Sequence, residues 1–309
     1  MANIDVSIIF VNYKTSNLVG DVINSIKEKS NGFSYELIAV DNSKDEEELA
    51  RLKLIEGLTV IDANGNLGFG RANNLGANVA KGKYLYFLNT DTLLINNAIY
   101  ELKNFLDDNP NVSIVGSNLY TKENKPNHSF IKIEKNVKNE KKINSPWIAI
   151  KKRITHKSPD FNYSNNPLKI DGYVCGASLM MRRGDFAALG GFDKDIFMYA
   201  EESLLCYRAI HELHKEVYNV PTSRIIHFEG GSFKKPISYN RIKTNIDGNV
   251  VYYTKAFGKA GAVDYLKGLL KTSKKKKLIS TLIFNKRQID KFKLYVQACN
   301  EKLKEIANE

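Results

Sequence analysis

The sequence predicts an α/β protein with a mostly parallel sheet that carries helices on both faces. Apolar segments of four to six residues alternate with segments of helical periodicity through the first 115 residues, which is the pattern of βαβ units. The apolar segments lack polar alternation, as expected of strands that are buried on both faces. Polar residues and glycines follow several of them directly, at the edge where open parallel sheets bind ligands.

The predicted elements of the first half have lengths typical of strands and helices. Strands are predicted at residues 6–11, 36–40, 58–62, 83–88 and 112–115. The helices between them are predicted at residues 16–29, 45–55, 71–80 and 96–107, and a loop is predicted at 63–70. Each helix separates two strands, so the connections suit a parallel sheet.

The second half is less regular. It predicts one or two strands within residues 170–182, a helix at 201–213, a strand at 223–226 and a long helix at 239–257. Beyond these, apolar residues recur at spacings of three and four from Ile289 to Ile306. This spacing continues for less than three heptads, so it predicts a helix that packs on the body of the protein.

The net charge of +12 resides in two segments. Residues 122–157 contain eleven lysines and arginines against three acids, and residues 267–293 contain ten against one. Because these segments contribute +8 and +9, the remainder of the chain carries −5. The charge therefore predicts anionic partners for two particular surfaces.

Composition disfavours several classes of protein. The three cysteines, Cys175, Cys206 and Cys299, are too few and too widely spaced for a disulfide framework or a zinc site. No apolar run is longer than the five residues of Tyr84–Leu88, whereas a membrane-spanning helix needs about 20 residues. The N-terminal residues lack the basic and apolar regions of a signal peptide. We therefore expect a cytoplasmic protein.

The two basic segments have different characters. The first contains Pro126 and Pro146 and little periodicity, which predicts an inserted loop or flap. In the second, Lys274 to Lys277 precede a mostly apolar patch at 278–284, which suits the surface of an anionic membrane. A solvated tail explains the same composition equally well. Neither segment contains a nucleic-acid-binding motif, so no nucleic-acid partner is expected.

Three groups of ionisable residues stand where a ligand can bind. Asp91 ends the segment Asn89-Thr90-Asp91 after a predicted strand, where a carboxylate can hold a divalent cation or cap a helix. His227 leaves a strand toward two glycines, where an imidazole can bind a metal or a phosphate, or have no function. Glu201 and Glu202 begin a helix, where the dipole stabilises carboxylates and one of the pair can act as a general base.

The segment Asn64-Gly65-Asn66-Leu67-Gly68-Phe69-Gly70-Arg71 is rich in glycine and asparagine. It matches neither the dinucleotide-binding fingerprint nor the P-loop, because no Gly-Lys-Ser/Thr follows it. Its glycines permit close approach of the backbone to a ligand, and Arg71 can pair with an anion.

Short segments at residues 6–13, 40–43, 64–74, 87–91, 172–182, 191–193, 197–202 and 227–232 carry a family resemblance. In this order they resemble the family 2 glycosyltransferases of the GT-A (Rossmann-like) fold. Within that family they are most similar to the bacterial rhamnosyltransferase-like branch. The resemblance extends over roughly residues 6–257 and leaves out the basic insert and the tail.

The resemblance implies a role for each matching residue. Asp41 is expected to accept a hydrogen bond from the N3–H of a uracil or thymine ring. Asp91 and His227 are expected to hold Mg²⁺ or Mn²⁺ at the donor diphosphate, and Glu202 is expected to act as the catalytic base. The remaining residues implied at the nucleotide-sugar site are Asn12, Tyr13, Asn64, Arg71, Asn74 and Asn89.

The sequence also departs from the family pattern. Asn89 stands where the first acid of the metal-binding motif is usual, which leaves one carboxylate for the metal. Glu202 replaces an aspartate, and Leu204 stands where a further aspartate is usual. These departures leave the identity of the base open between Glu202 and Glu201.

The implied activity is inverting, metal-dependent sugar transfer in the synthesis of a cell-surface polysaccharide such as capsule or O-antigen. The first expected donor is dTDP-L-rhamnose, and the acceptor is a hydroxyl of a glycan or a polyprenyl-diphosphate-linked sugar. A UDP-hexose or UDP-HexNAc donor is an alternative. A non-catalytic sugar-nucleotide-binding or scaffold subunit is an alternative from another class.

The expected domain organisation follows from the resemblance and the charge. Residues 1–258 form the transferase domain, with a nucleotide-binding half at about 1–120, a basic insert at about 122–168 and an acceptor half at about 169–258. Residues 259–309 form a basic helical extension, which would hold the protein peripherally at the inner face of the cell membrane. An oligomer is compatible with this organisation.

Overall fold

The computed structural model describes residues 4–143, 157–228 and 238–308. Its strands are β1 (Val6–Asn12), β2 (Tyr35–Asp41), β3 (Leu58–Asp62), β4 (Tyr84–Leu88), β5 (Thr92–Leu94), β6 (Val112–Tyr120), β7 (Phe130–Ile131), β8 (Leu168–Lys169), β9 (Tyr173–Val174), β10 (Ser178–Arg182) and β11 (Glu216–His227). Its helices are α1 (Ser16–Lys29), α2 (Glu46–Lys53), α3 (Phe69–Val79), α4 (Ala98–Asp108), α5 (Val137–Ile143), α6 (Arg183–Ala188), α7 (Glu201–His211), α8 (Tyr239–Leu282) and α9 (Lys286–Asn308).

The central sheet confirms the predicted α/β class. Its strand order is β3-β2-β1-β4-β10-β6-β11-β5, and β8 pairs with β11. Strands β1 to β4 are parallel, whereas β10 runs antiparallel to both β4 and β6. The sheet is therefore parallel in its first half and mixed in its second, because β10 enters the centre of the sheet from a later part of the chain.

Helices cover both faces of the sheet, as predicted. On one face, α1 and α4 bury apolar side chains against Val6, Ile8 and Tyr86. On the other face, α3, α6 and α7 pack against residues that include Ile9 and Phe87. Neighbouring residues of β1 point to opposite faces, so a strand with both faces covered must be apolar throughout.

Strand β11 is much longer than the predicted strand at 223–226. It begins at Glu216 and pairs with β6 along most of its length, with a register shift between Val220 and Arg224. Pro221 lies within that shift. Proline lacks the N–H that a regular ladder requires, so within sheets it occurs at such irregularities. Because a proline argues against a strand, the sequence predicted only the part of β11 that follows Pro221.

The described part of the basic insert is more ordered than the predicted loop. Phe130 is buried in the core, and β7 pairs with β9 through Phe130–Val174 and Ile131–Tyr173. Helix α5 follows within the same segment. Residues 144–156 of the insert, including Pro146, lie outside the described residues.

The C-terminal residues form a helical hairpin. Helix α8 has a break at Gly258 (φ 71°), and α9 returns antiparallel to it. The seam between them buries Tyr265, Leu266 and Cys299. Among the described residues, no helix has the length and apolar character that crossing a bilayer requires.

Candidate active site

The carboxyl ends of the parallel strands bring several of the predicted residues to one edge of the sheet. Asn12 ends β1 and is paired in register with Asp41 at the end of β2. The segment from Asn89 to Asp91 follows β4, the next strand on the other side of β1. The hydroxyl groups of Thr15 and Thr90 lie 3.1 Å apart and join the two strand ends.

The amide group of Asn12 positions Asp41. Its nitrogen donates to Asp41 Oδ1 at 2.9 Å and to Glu48 Oε2 at 3.1 Å, and its oxygen accepts from the Thr15 backbone and hydroxyl. Burial alone would raise the pKa of Glu48, but hydrogen bonds from Asn12 and Ser16 outweigh it and lower that pKa. Both amide hydrogens of Asn12 are thus engaged with carboxylates, so we expect Asn12 to orient Asp41 and not to contact a base directly.

Asp41 is almost completely buried, and Tyr13 beside it is 50% exposed. Oδ1 of Asp41 also accepts hydrogen bonds from the backbone and hydroxyl of Ser43. The carboxyl group is therefore held in one orientation before any ligand binds. Tyr13, which follows the neighbouring strand β1, offers an exposed ring at the same edge of the sheet, which suits a planar ligand.

The glycine-rich segment is tied to the end of β2 by Asn42, which the sequence did not single out. Asn42 accepts a hydrogen bond from the Leu67 backbone at 2.8 Å and donates to Asn66. Gly68 has φ 84°, and a β carbon there would lie 1.9 Å from the carbonyl oxygen of Phe197. This contact requires glycine and brings the segment against the loop that precedes α7.

Arg71 and Asn64 lie on this segment in different surroundings. Asn64 is exposed with φ 56°, and its backbone donates to Asp62. Arg71 lies on α3, with its guanidinium 5.9 Å from the centroid of the Phe197 ring. Within the described residues, its buried Nε has no hydrogen-bond partner. A buried donor without a partner is costly, so Arg71 is well suited to receive an anionic ligand.

Asn74 serves a structural contact. Its amide nitrogen donates to the Phe192 carbonyl oxygen, and its amide oxygen accepts from the Phe192 backbone N–H, both at 2.9 Å. These two bonds fix the loop before α7 to α3. Its predicted contact with the nucleotide would need atoms that already have partners, so we expect it to act through Phe192.

Asp91 and His227 meet at the same edge. Strand β11 pairs antiparallel with β5, which places His227 opposite Thr92. The His227 Nε2 lies 3.4 Å from Asp91 Oδ1, and both side chains retain partial exposure. The backbone N–H of Phe228 donates to the Asp91 carbonyl oxygen. Gly230 and Gly231, which follow in the sequence motif, lie outside the described residues.

This pair fits a divalent cation that would take its other ligands from the nucleotide and from water. One carboxylate and one imidazole converge at a partly open position, and diphosphate oxygens and water are the usual remaining ligands of Mg²⁺ and Mn²⁺. No group of three or more potential protein ligands occurs among the described residues. A site of this kind would bind the metal mainly together with the nucleotide.

Two residues with unusual backbone conformations immediately precede the acid pair Glu201 and Glu202. Tyr199 (φ 73°) and Ala200 (φ 76°) are both left-handed and immediately precede Glu201. A β carbon at Gly248 of α8 would lie 2.3 Å from the Tyr199 carbonyl oxygen. Packing of α8 against this turn therefore holds a conformation that non-glycine residues rarely adopt, and such strain is common at functional sites.

The two carboxylates have different environments. Glu201 is buried, its Cγ lies near Gly70, and its Oε1 has no hydrogen-bond partner within the described residues. Burial and the neighbouring Glu202 raise the pKa of Glu201 to about 8. Glu202 is partly exposed, and burial also raises its pKa. Glu202 is thus the carboxylate with access to a substrate.

The basic insert supplies a cation beside the acid pair. Burial lowers the pKa of Lys135, and the charges of Glu202, Glu140 and Glu201 oppose that shift. The Lys135 ammonium lies 4.8 Å from the centroid of the Tyr252 ring and 5.7 Å from that of Tyr173. Its charge in turn lowers the pKa of Glu202.

A histidine of the insert lies near Tyr173, as Lys135 does. The His128 Nδ1 lies 2.7 Å from Asp160 Oδ2, and its ring packs edge-on against Tyr173. Burial opposes ionisation of Asp160, but hydrogen bonds from His128 and Ser158 lower its pKa to about 2. This histidine also favours the charged form of Glu202.

A short series of contacts joins the metal-site candidates to Glu202. The backbone N–H of Asn89, two residues before Asp91, donates to the Ala177 carbonyl oxygen at 3.0 Å. A β carbon at the adjacent Gly176 would lie 3.7 Å from Cβ of Glu202 and 3.8 Å from its carboxyl carbon. Asn89 itself is partly exposed.

The sequence reasoning missed Glu48, Lys135, His128 and Asp160. Glu48 belongs to an acidic stretch that predicts an exposed helix. The other three lie in an insert without periodicity. Only the cluster of positive charge at 122–157 pointed to that insert.

The sheet, with an Asp–His pair and an acid pair at its ligand edge, is that of a GT-A-type protein. Solved structures with the same fold include GalNAc-T7 with UDP, GalNAc and Mn²⁺ (TM-score 0.61, 17% identity, 84% of this chain and 50% of that chain). Another is the mannosyltransferase PcManGT from Pyrobaculum calidifontis with GDP-Man and Mn²⁺. Its TM-score is 0.56 at 14% identity, and the match covers 98% of this chain and 88% of that chain.

Residues 7–190, more than half of the chain, match the pattern of glycosyl transferase family 2, and the chain belongs to this family. A curated relative is the low-salt glycan biosynthesis hexosyltransferase Agl10 of Haloferax volcanii. It is 26% identical over 217 residues, which are 67% of this chain and 62% of the relative. This chain therefore spans less than two thirds of that relative's length. The family and the fold expected from the sequence are confirmed.

Proposed function

We propose that this chain is an inverting, metal-dependent glycosyltransferase that moves a hexose from a nucleoside-diphosphate donor to a hydroxyl group. The observation that carries the proposal is the position of Glu202, which is partly exposed and joined through Gly176, Ala177 and Asn89 to the Asp91–His227 edge. Family membership and the hexosyltransferase relative support transfer of a hexose. L-rhamnose, a deoxyhexose, stays the first sugar to test.

The donor would lie along the strand ends. The buried Asp41 carboxylate would accept the N3–H of a pyrimidine base beside Tyr13, and Arg71 would offer its unpartnered Nε to an anion. Asp91 and His227 would hold Mg²⁺ or Mn²⁺, which stabilises the negative charge of the departing diphosphate. These contacts would hold the donor with its anomeric carbon facing Glu202. Such orientation lowers the activation barrier of sugar transfer.

Glu202 would accept the proton of the acceptor hydroxyl. As the acceptor oxygen forms its bond to the anomeric carbon, the bond from that carbon to the diphosphate oxygen breaks, and the nucleoside diphosphate leaves with the bonding electrons. Attack opposite the leaving group inverts the anomeric centre, and no covalent enzyme intermediate is required. The raised pKa of Glu202 suits a base that must take a proton near neutral pH.

A donor screen tests the proposal. Purified protein with Mn²⁺ or Mg²⁺ is given dTDP-L-rhamnose, UDP-glucose, UDP-GlcNAc or GDP-mannose, and release of nucleoside diphosphate is measured. We expect slow hydrolysis of a pyrimidine donor, because Asp41 is an acceptor for the N3–H of uracil or thymine. Preference for dTDP over UDP in competition would favour the rhamnosyl donor, and the reverse would favour a UDP-hexose or UDP-HexNAc.

Two results of the screen would contradict parts of the proposal. Turnover of GDP-mannose alone would show that Asp41 does not read a pyrimidine. Tight binding of a nucleotide with no turnover of any donor, with or without glycan acceptors, would favour the non-catalytic alternative. Glutamate at position 202 and leucine at position 204, where the family usually has aspartates, are compatible with that alternative.

Replacing Lys135 should change the pH dependence of transfer. Because the Lys135 charge lowers the pKa of Glu202, Lys135→Met should raise that pKa. Since the base must be deprotonated, the acidic limb of kcat/KM should move to higher pH in Lys135→Met and remain in place in Lys135→Arg. The measurement is the pH–rate profile of both variants.

Lys132→Met is the matched control, since Lys132 is an exposed lysine of the same insert. Its profile should equal that of the unchanged protein. If the acidic limb of the pH–rate profile is also unchanged in Lys135→Met, Lys135 does not tune the pKa of the proposed base.

The acceptor, the location and the domain functions remain part of the same proposal. The acceptor would be a glycan or a polyprenyl-diphosphate-linked sugar in synthesis of a surface polysaccharide. Residues 1–258 would perform the transfer, with residues 122–168 contributing Lys135 and His128 on the acceptor side. Residues 259–309 would keep the protein at the inner face of the membrane.

A further inference from the structure

The far end of the C-terminal hairpin carries an exposed apolar surface. The side chains at the turn between α8 and α9 are mostly open to solvent, with Leu282 at 70%, Ile283 at 65% and Phe284 at 92% exposure. Leu278 and Ile279, one turn earlier on α8, are also exposed. We call these five residues the hairpin tip. An exposed apolar cluster of this kind marks an interaction surface.

The hairpin tip lies away from the transferase body. Helix α9 is anchored at its other end, where Lys302 pairs with Asp247 at 3.0 Å and Tyr239 bonds to Glu301. The part of α8 after Gly258 has 24 residues, which corresponds to about 36 Å of helix. The apolar seam is filled near the body by residues such as Tyr265 and Cys299, but it leaves the tip uncovered.

Basic residues surround the hairpin tip on both helices. Lys274 to Lys277 precede it on α8, and Lys286, Arg287, Lys291 and Lys293 follow on α9. The one acid between residues 267 and 293 is Asp290, which lies 3.6 Å from Lys293. An apolar end with basic residues on both adjoining helices matches the surface of a bilayer. Apolar side chains would enter the boundary of the acyl chains, and lysines would reach the lipid phosphates.

We propose that the hairpin tip is a membrane-inserting element that binds bilayers rich in anionic lipid. The proposal rests on the proposed function for its cellular setting, because a lipid-linked acceptor requires the enzyme at a membrane. Its physical basis, the exposed apolar residues and the surrounding charge, is separate from the transfer chemistry. A protein partner would more commonly meet aromatic and arginine side chains in a packed patch than a ring of lysines.

The test is flotation of the full chain with vesicles of phosphatidylcholine alone or with 30% phosphatidylglycerol. We expect binding to the anionic vesicles. Ile283→Ser combined with Phe284→Ser should weaken binding at least about tenfold, since two apolar contacts are lost. Changing Lys274 to Lys277 to glutamine should weaken it at least about tenfold as well and reduce its dependence on salt.

The matched control is Leu54→Ser, which removes an exposed leucine (84%) from the body and should leave binding unchanged. All variants alter exposed or partly exposed residues, so unchanged melting temperatures should confirm folding. Binding that is absent, or that survives both tip variants, would overturn the proposal. Self-association that the tip variants abolish, without vesicle binding, would instead assign the tip to contacts between copies of the chain. Because no donor or acceptor is present, these results do not depend on transfer activity.

Discussion

Glu202→Gln should reduce sugar transfer by about 10²- to 10⁴-fold, the usual contribution of a general base. Glutamine has nearly the same shape, so packing against Gly176 and the beginning of α7 should be retained. An amide cannot accept the hydroxyl proton, and the loss should therefore fall on kcat. The measurements are kcat for transfer and nucleotide affinity by calorimetry, which should change little.

Glu201→Gln is the matched control for this prediction. Burial and the neighbouring Glu202 raise the pKa of Glu201, which favours the neutral form of its carboxyl group. The variant replaces this group by a neutral amide, and we expect a much smaller loss. Near-normal transfer by Glu202→Gln with a large loss in Glu201→Gln would assign the base to Glu201.

Asp91→Ala should weaken binding of the nucleoside diphosphate only when a divalent cation is present. Asp91 supplies the single carboxylate of the Asp91–His227 pair. Loss of outer-shell partners of a metal commonly costs 10- to 100-fold in affinity, and loss of a direct ligand should cost at least about as much. Titration of UDP and dTDP with Mn²⁺, and again with a chelator, measures the difference.

Asp108→Asn provides the control, because Asp108 is an exposed carboxylate at the end of α4. It should bind nucleotide as the unchanged protein does. If Asp91→Ala has the same affinity as the unchanged protein with Mn²⁺, Asp91 is not a metal ligand. Equal weakening with and without metal would indicate that Asp91 acts on the fold or on the nucleotide itself.

Some of the predicted site residues can contact a ligand directly, whereas others position a neighbouring residue. Within the described residues, Arg71 has a buried Nε without a partner, and Glu202 is partly exposed. Asp91 and His227 lie beside each other at the sheet edge. Asn12 and Asn74 occupy the expected positions, but their amide groups hold Asp41 and Phe192 in place. Sequence patterns locate such residues well. They do not reveal whether a polar atom already has a partner, because that partner can lie more than a hundred residues away.

The basic insert is a second case in which a local sequence pattern did not predict the contacts of a segment. Its charge was visible in the sequence, and its assignment as a loop or flap was incomplete. Phe130 anchors it in the core, and the pairing of β7 with β9 brings Lys135 and His128 toward Glu202. Two-residue strands are too short to give a periodic signal, so no local pattern could have predicted this arrangement.

The amino-acid sequence by itself determined the alternation of buried strands and amphipathic helices, and the polar residues at the strand ends. These features follow from side-chain periodicity within a few residues. Only the tertiary structure decided that β10 enters the sheet antiparallel between β4 and β6 and that α8 holds the strained turn at Tyr199 and Ala200. It also brings the charges of Lys135 and His128 close enough to act on Glu202. Strand direction and long-range packing leave no local period, because a strand buried on both faces has the same apolar pattern in either direction.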